Sequence, residues 1–443
     1  MKKIQIKRLN LRAISLRDLV VVVIPALIII AAGFWVAWKF VRPAPPSHFV
    51  MTTGPESGAY HLFAQRYQEI LAKRGITLEL RPAAGGLDNL QRLADENSDV
   101  DIGFVQGGLG SAGDAPDLVT LGSVFYEPVW VFYRSNDRID RMAQLRGTRI
   151  AVGDENSGNR KLALELLAAN GAATEPPTRL LSKGGVEAVE ALANGKADAA
   201  IVINAPEAGV VKSLLYLPGV RLLNFNRTAA YTRLFQFLHA VVLPQGSVDL
   251  MHDIPPADVH LFAPTANIVA KSSLHPALID LMMQAMAEVH GGRGVFHNAR
   301  DFPSPKDQDF PLSPEAQRYY TSGAPFLQRY LPFWAATLID RIMVLLIPLF
   351  ALVIPLAKVA PGLYNWRIQR RLIRLYGELK FLEHDIRQNF EPEKFDGYIE
   401  QLDRIDESAN TRPIPLAFAD KQYTLRTHID FVRGVLEKLR PAA

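Results

Sequence analysis

Hydrophobic spacing changes character four times along the chain. Leu19–Trp38 is an unbroken uncharged run, about 30 Å long as a helix and sufficient to cross a bilayer core. From residue 48 to 330, short apolar runs alternate with stretches of helical period, the pattern of βαβ units. A second uncharged run, Ile342–Ala357, reaches Ala360 if Lys358 extends its amine to the headgroups. Beyond it, Ile368, Leu372, Leu375, Leu379, Leu382 and Ile386 recur at steps of four and three, a seam of coiled-coil type lasting under three heptads. Phe395, Tyr398, Leu402 and Ile405 form a second stripe, and Ile429, Val432, Leu436 and Leu439 a third. These stripes fit either a small bundle packed on itself or a docking surface.

Within the middle segment the pattern predicts strands at His48–Thr52, Thr77–Arg81, Val100–Val105, Arg149–Val152 and Ala199–Ile203. Helices are expected at Ser57–Arg74, Asp88–Asp95, Gly158–Asn170 and Val186–Asn194. Short strands with helices between them build parallel sheets covered on both faces. Two such units imply two lobes. The first takes about 48–134 and 236–330, with Phe237–Val242 and Ile268–Lys271 returning to it, and the second takes about 135–235.

Charge decides how the apolar runs are oriented. The chain of 443 residues carries 49 Lys and Arg against 45 Asp and Glu, net +4, and the excess flanks those runs. Lys2, Lys3, Lys7, Arg8, Arg12 and Arg17 precede the first, while Lys358, Arg367, Arg370, Arg371 and Arg374 follow the start of the exit from the second. Basic flanks mark the cytoplasmic side, so this distribution favours membrane topology over nucleic-acid binding. The expected organisation is a cytoplasmic basic N-terminus (1–18), a first span (19–41), an extracytoplasmic domain (48–330), a second span (338–360) and a cytoplasmic helical tail (362–443). A cleaved signal peptide competes for the first run, and a buried helix of a soluble domain for the second. The apolar part of the first is long for a signal, and Lys39–Pro43 lacks a small-x-small cleavage pattern. Aromatic residues flank the second: Tyr330, Phe333 and Trp334 before it, Tyr364 and Trp366 after.

Composition narrows the chemistry. With 49% hydrophobic and 21% charged residues the chain is neither disordered nor collagen-like. Without cysteine it has no disulfide, thiolate nucleophile or cysteine-ligated metal. Its ten histidines include no pair at ligand spacing, and His61 and His239 read as structural. No P-loop, metalloprotease or serine-elbow motif occurs. Gly108–Gly113 matches a dinucleotide pattern, yet Asp114, Pro116 and Asp117 interrupt any helix after it. No catalytic residue, metal or cofactor is expected, and the chain is read as a binding protein.

The turns after the strands carry what chemistry there is. Thr53–Tyr60, Ala84–Asn89, Gly153–Asn159 and Lys183–Gly185 each lead into a helix with glycine at the junction. Glycine permits close backbone approach, and the first helical turn presents unpaired N–H groups with partial positive charge. Such loops also serve as ordinary caps. Four of them, set at the carboxyl ends of strands, favour binding of a carboxylate or another anion.

At these residues the chain resembles the extracytoplasmic solute receptors of the TAXI type, which serve tripartite TRAP transporters. The resemblance rests on Thr53-Gly54 with Gly58-Ala59-Tyr60, Ala84-Gly85 with Asp88-Asn89-Leu90, and Asp101–Gln106. It continues through Leu145–Gly153, Ser157-Gly158 and Asn194–Ala199, spanning roughly residues 48–270. It implies an α/β, two-lobed type II periplasmic-binding-protein fold closing on its ligand by hinge motion, here flanked by two transmembrane helices. The implied ligands are small organic acids or amino acids of the dicarboxylate, 2-oxoglutarate or glutamate class. The implied partners are TRAP-type permease subunits, and the implied location is the bacterial cytoplasmic membrane with the domain facing the periplasm. Carried onto this chain, Gly54, Ser57 and Tyr60 would line one wall beside Gly86, Asn89 and Gln106. Glu127, Ser157, Gly158 and Asn204 would come from the hinge and the opposite lobe, while Asp198 fixes a turn. Gly86 stands where relatives often carry Ser, and Asn159 where Thr is frequent. A ligand sensor signalling through the helical tail is the alternative, since a plain receptor does not require that tail.

Overall fold

The computed structural model describes residues 16–40, 43–172, 177–307, 309–411 and 418–439. Most of the basic N-terminal segment therefore lies outside the described residues. The chain divides into two compact units, Ala44–Thr337 and Met1–Pro43 with Leu338–Ala443. The second opens with α1 (Leu16–Phe40).

The Ala44–Thr337 unit begins with β1 (His48–Thr52), α2 (Ala59–Ala72), β2 (Thr77–Arg81), α3 (Gly86–Ala94), β3 (Ile102–Gln106) and β4 (Leu118–Tyr126). After a two-residue link come β5 (Val129–Tyr133), β6 (Arg149–Ala151), α4 (Gly158–Ala169), β7 (Arg179–Leu181), α5 (Gly185–Ala193) and β8 (Ala199–Ile203). They are followed by α6 (Gly209–Leu215), β9 (Arg221–Leu222), α7 (Thr228–Leu234) and the hairpin β10 (His239–Leu243) and β11 (Val259–Ala263). The unit closes with β12 (Thr265–Lys271), α8 (Pro276–His290) and α9 (Pro314–Ser322). One sheet runs β2-β1-β3-β12-β4 and the other β7-β6-β8-β5-β9, so the architecture is the expected two-sheet α/β arrangement of two lobes.

The central strands β3 and β8 form close to where predicted because both of their faces are buried. All five residues of β3 and of β8 are buried, and each fully buried aliphatic side chain contributes roughly 1.5–3 kcal/mol. Phe49, Met51, Tyr67, Leu78 and Phe104 pack with Met282 and Met286 of α8 in the first core. Trp130, Phe132, Ile150, Leu166 and Ile201 anchor the second. Gly103 lets β3 lie against β1, since a Cβ there would collide with the Thr52 methyl group.

Two expectations are corrected. The sheets are mixed rather than parallel: β12 runs antiparallel to β3 and β4, and β5 antiparallel to β8 and β9. These are the strands that carry the chain between lobes with no helix intervening, and a helical crossover is what makes neighbouring strands parallel. The lobes also exchange elsewhere than expected. β5 belongs to the second sheet, so the chain leaves the first lobe at Glu127-Pro128 and not near Arg134. β10 and β11 pack on the second core through Val241, Leu261 and Phe262, so the return lies at Pro264 and not before Phe237. The Glu127 N–H donates to Pro264 O at 3.0 Å, tying the two crossings together.

In the other unit, α10 (Phe333–Gln388) is followed by α11 (Phe395–Thr411) and α12 (Ala419–Lys438). The run Ile342–Ala357 lies within α10, which is long and apolar enough to cross a membrane by length and composition. In α1 the corresponding apolar stretch is Val23–Val36. A Cβ on Gly33 would sit 2.9 Å from Leu352, so α1 and α10 approach closely there. The three stripes of the tail face one another. Leu372, Leu379, Tyr398, Leu402, Leu425, Ile429 and Leu436 share one core, which supports a bundle packed on itself. Leu439, assigned to the third stripe, is instead 41% exposed because α12 ends at Lys438.

Candidate functional site

Between the lobes of the Ala44–Thr337 unit lies a cleft of about 630 Å³, within the usual range for small-ligand sites. All four glycine-bearing junctions open onto it, which fixes the point where helix starts from both lobes converge.

The first lobe supplies two helix starts. α2 is preceded by Gly58 and α3 by Gly85, and neither has a side-chain cap. The first-turn N–H groups of a helix have no partner within it, so these two ends present open donors and the positive pole of the peptide dipoles. Gly85 has φ +143°, a backbone geometry that glycine accommodates. Gly86 is sterically required: a Cβ there would stand 2.9 Å from the Gln106 backbone nitrogen. The serine common at this position would therefore clash, and α3 reaches the cleft through backbone alone. Gly54 and Ser57 line the same wall.

Tyr60 and Glu127 form the floor. The Tyr60 ring stacks on Phe104 with centroids 4.7 Å apart, and its hydroxyl donates to Glu127 Oε2 at 2.8 Å. Burial pushes the Glu127 carboxyl up to about 8, opposed by the hydrogen bond from Tyr60. At neutral pH it is mainly in the acid form, a neutral group able to donate its own O–H. Burial, and then the nearby Glu127, raise Tyr60 well above its ordinary range.

Gln106 ends β3 beside them. It is 5% exposed, and its Nε2 has no hydrogen-bond partner, although it lines the cleft. A buried donor left unpaired costs roughly 1–3 kcal/mol, so such a group calls for a partner, a ligand atom or a water. From the second lobe, Gly158 approaches so closely that a Cβ on it would lie 3.0 Å from Gln106 Oε1. Lys161 Nζ donates across the lobes to Leu109 O at 2.9 Å.

The second lobe's junctions are partly satisfied already. Ser157 caps α4 by accepting from Arg160 N at 3.2 Å. Ahead of α5, the Gly184 N–H donates to Asp154 Oδ1 at 2.9 Å. Asn204 lines the cleft while its Oδ1 accepts from Ala205 N at 2.9 Å.

Of the ten residues assigned from sequence, nine line this cleft: Gly54, Ser57, Tyr60, Gly86, Gln106, Glu127, Ser157, Gly158 and Asn204. Asn89 is the correction. It sits inside α3 and turns toward the sheet, accepting from Thr52 Oγ1 at 2.6 Å and donating to Phe104 O at 2.8 Å. Those bonds tie α3 to β1 and β3. Asn159 does the same in the second lobe, donating to Val152 O and Ile201 O and accepting from Ile203 N. Asp198 accepts from the Arg149 backbone at 2.8 Å and from its guanidinium at 2.6 Å, in keeping with a turn-fixing role. His61 bonds Thr53 and Gln65, and His239 pairs with Asp307 at 2.9 Å.

Sequence reasoning missed Asp154, Lys183, Val186, Glu187, Val189 and Val210, all of which line the cleft. The first four lay in or beside turns already singled out. Gly209 at the start of α6, following the strand Ala199–Ile203, was the remaining signal.

Comparison with family models finds that the NMT1-like family matches residues 51–322. A comparison with curated proteins finds no match. Among solved structures, the periplasmic aliphatic sulphonate binding protein of Escherichia coli is similar at 16% identity, over 73% of this chain and 93% of that one, with a TM-score of 0.38. An ancestral arginine-binding protein shares 13% identity over 55% of this chain and 92% of its own, TM-score 0.36. A histidine kinase sensor domain shares 14% over 54% and 90%, TM-score 0.35.

Proposed function

This chain belongs to the NMT1-like family, and from that premise we propose that Ala44–Thr337 captures a small solute bearing an anionic oxygen group. The observation that carries this reading is Gln106: a buried amide without a partner, between two uncapped helix starts, in a cleft bounded by both lobes. Binding is non-covalent, with no turnover. The ligand replaces the missing partner of Gln106, takes N–H groups of α2 and α3, and is enclosed as the lobes close about Glu127-Pro128 and Pro264. Dicarboxylates of the 2-oxoglutarate class and amino acids are the acids suggested by the TAXI resemblance.

Residues 19–41 and 338–360 tether this domain to the cytoplasmic membrane, its cleft facing outward, where it delivers solute to a TRAP-type permease. Because the chain has no native cysteine, single cysteines introduced at 250 and 381 report topology by impermeant labelling of intact cells. Labelling at 250 alone is expected, and labelling at 381 refutes the arrangement. Thermal melting of the purified chain over a panel of organic and amino acids tests the binding itself, since a ligand selective for the native state raises Tm as RT ln(1 + [L]/Kd). A panel with no shift refutes the solute-binding reading.

A second reading, a sensor or scaffold, is favoured by one feature: α10 is a single helix from Phe333 to Gln388, and its final part builds the bundle core with α11 and α12. Deleting residues 362–443 separates the two. Preserved uptake with no change in any transcriptional or kinase response favours delivery to a permease, and preserved uptake with a lost response favours sensing.

A further inference from the structure

Resting on the solute-binding reading, we infer that the cleft is built for a ligand with a single anionic group and an apolar body, and that it discriminates against dicarboxylates. The asymmetry of its two walls carries this inference.

On the first wall stand the uncapped starts of α2 and α3 and the unpartnered amide of Gln106. That wall can satisfy one carboxylate: N–H groups converge on its oxygens, and the Gln106 amide supplies another neutral donor. The opposite wall has one comparable start, that of α5, which also lacks a side-chain cap, but a carboxylate of the protein stands beside it. Asp154 accepts from the Gly184 N–H ahead of α5 and lines the cleft, so a second ligand carboxylate approaching that start would meet a like charge. Asp88 accepts from Ala84 N ahead of α3 in the same way but is not among the residues lining the cleft. At that junction the space beside Gly184 is filled by the same Asp154 side chain.

The charges point the same way. Among the described residues lining the cleft there is no arginine or histidine, and one lysine, Lys183, stands with the carboxylates of Asp154 and Glu187. Lys183 is engaged at 3.2 Å with Glu187, one helical turn further on. Recognition of a planar carboxylate by side chains relies chiefly on a bidentate guanidinium, and none lines the cleft among the described residues. A second ligand carboxylate would meet Asp154 and Glu187 instead, and like charges brought together out of water repel.

What the second wall offers is hydrocarbon. Val186, at the head of α5, is 62% exposed, and with Val189, Ile203 and Val210 it lines the cleft. An exposed valine on the inner face of a closing cleft is apolar surface awaiting cover, and burying it on binding is favourable by area. The ligand class that matches both walls is a monocarboxylate with a branched aliphatic body, either a simple acid or an apolar α-amino acid.

The test is isothermal titration calorimetry of the full-length chain in detergent with 4-methylpentanoate, leucine, succinate and 2-oxoglutarate. A single-carboxylate probe is expected to bind at least tenfold more tightly than either dicarboxylate. A dicarboxylate that binds as tightly or more tightly overturns the inference and leaves the solute-binding reading standing. Absence of binding by all four, with no melting shift across the wider acid panel, overturns both. The exposed variant Val186→Lys places a cation on the apolar wall without disturbing the core. It is expected to weaken the single-carboxylate probe and strengthen 2-oxoglutarate, and an unchanged affinity ratio overturns the assignment of that wall.

Discussion

Replacing Glu127 by Gln is expected to change the pH dependence of stability more than its magnitude at low pH. Glutamine keeps the shape and the acceptor for the Tyr60 hydroxyl, which lies 2.8 Å from Glu127 Oε2, but cannot ionise. In the wild type, burial raises the carboxyl from 4.5 to about 8. Between those values the unfolded chain has released the proton and the folded one retains it, so stability falls as pH rises. The gap, at ~1.4 kcal/mol per pH unit, corresponds to about 5 kcal/mol lost between pH 4.5 and 8 and constant above. Glu127→Gln lacks that slope. The difference between variant and wild type should therefore grow by about 5 kcal/mol in the variant's favour from pH 4 to pH 9. Denaturant unfolding of the Ala44–Thr337 unit, followed by the fluorescence of fully buried Trp130, measures both proteins across that range. Parallel profiles, with a difference changing by less than ~1 kcal/mol, refute the assignment of a neutral buried carboxyl at the junction of the lobes.

Gln106→Met removes the unpaired buried amide while keeping its length, so the free protein should gain about 1 kcal/mol of stability. Ligand-induced melting shifts should shrink with it, and a variant that is less stable yet binds normally contradicts the role given to Gln106. Asn89→Ala breaks the bonds to Thr52 and Phe104 and should cost about 2–3 kcal/mol, while calorimetry finds ligand affinity within roughly threefold of wild type. Gly86→Ala drives a Cβ against the Gln106 backbone. It should cost about 1–3 kcal/mol and abolish binding, as read by thermal melting with and without ligand.

Local pattern carried most of the elements. His48–Thr52, Thr77–Arg81 and Ala199–Ile203 are strands with the expected bounds, because their apolar runs and flanking turns leave little choice of backbone. The glycine junctions were likewise legible, since a tight strand-to-helix turn needs residues of permissive backbone within a few positions. The tail stripes repeated at helical spacing and met in one core. Each of these depends on interactions spanning a handful of residues, which is the range over which a sequence pattern speaks.

Interactions between distant residues decided the rest. Tyr60 meets Glu127 across 67 positions and Asn89 meets Thr52 across 37, so no local rule tells that one member of a glycine-turn motif faces the cleft and another the sheet. Asn89 and Gly86 lie within one helical turn, yet only Gly86 lines the cleft, because Thr52 and Phe104 offer Asn89 partners in the opposite direction. The point at which the lobes exchange was set by pairing too: β5 is as apolar as β3, and only its antiparallel partners β8 and β9 assign it to the second sheet. Likewise, Asp154 reads from sequence as a turn residue, and its carboxylate becomes a feature of the cleft only once folding brings it to Gly184, 30 residues away. Burial and pairing are properties of neighbours in space, and the chain specifies those neighbours only by folding.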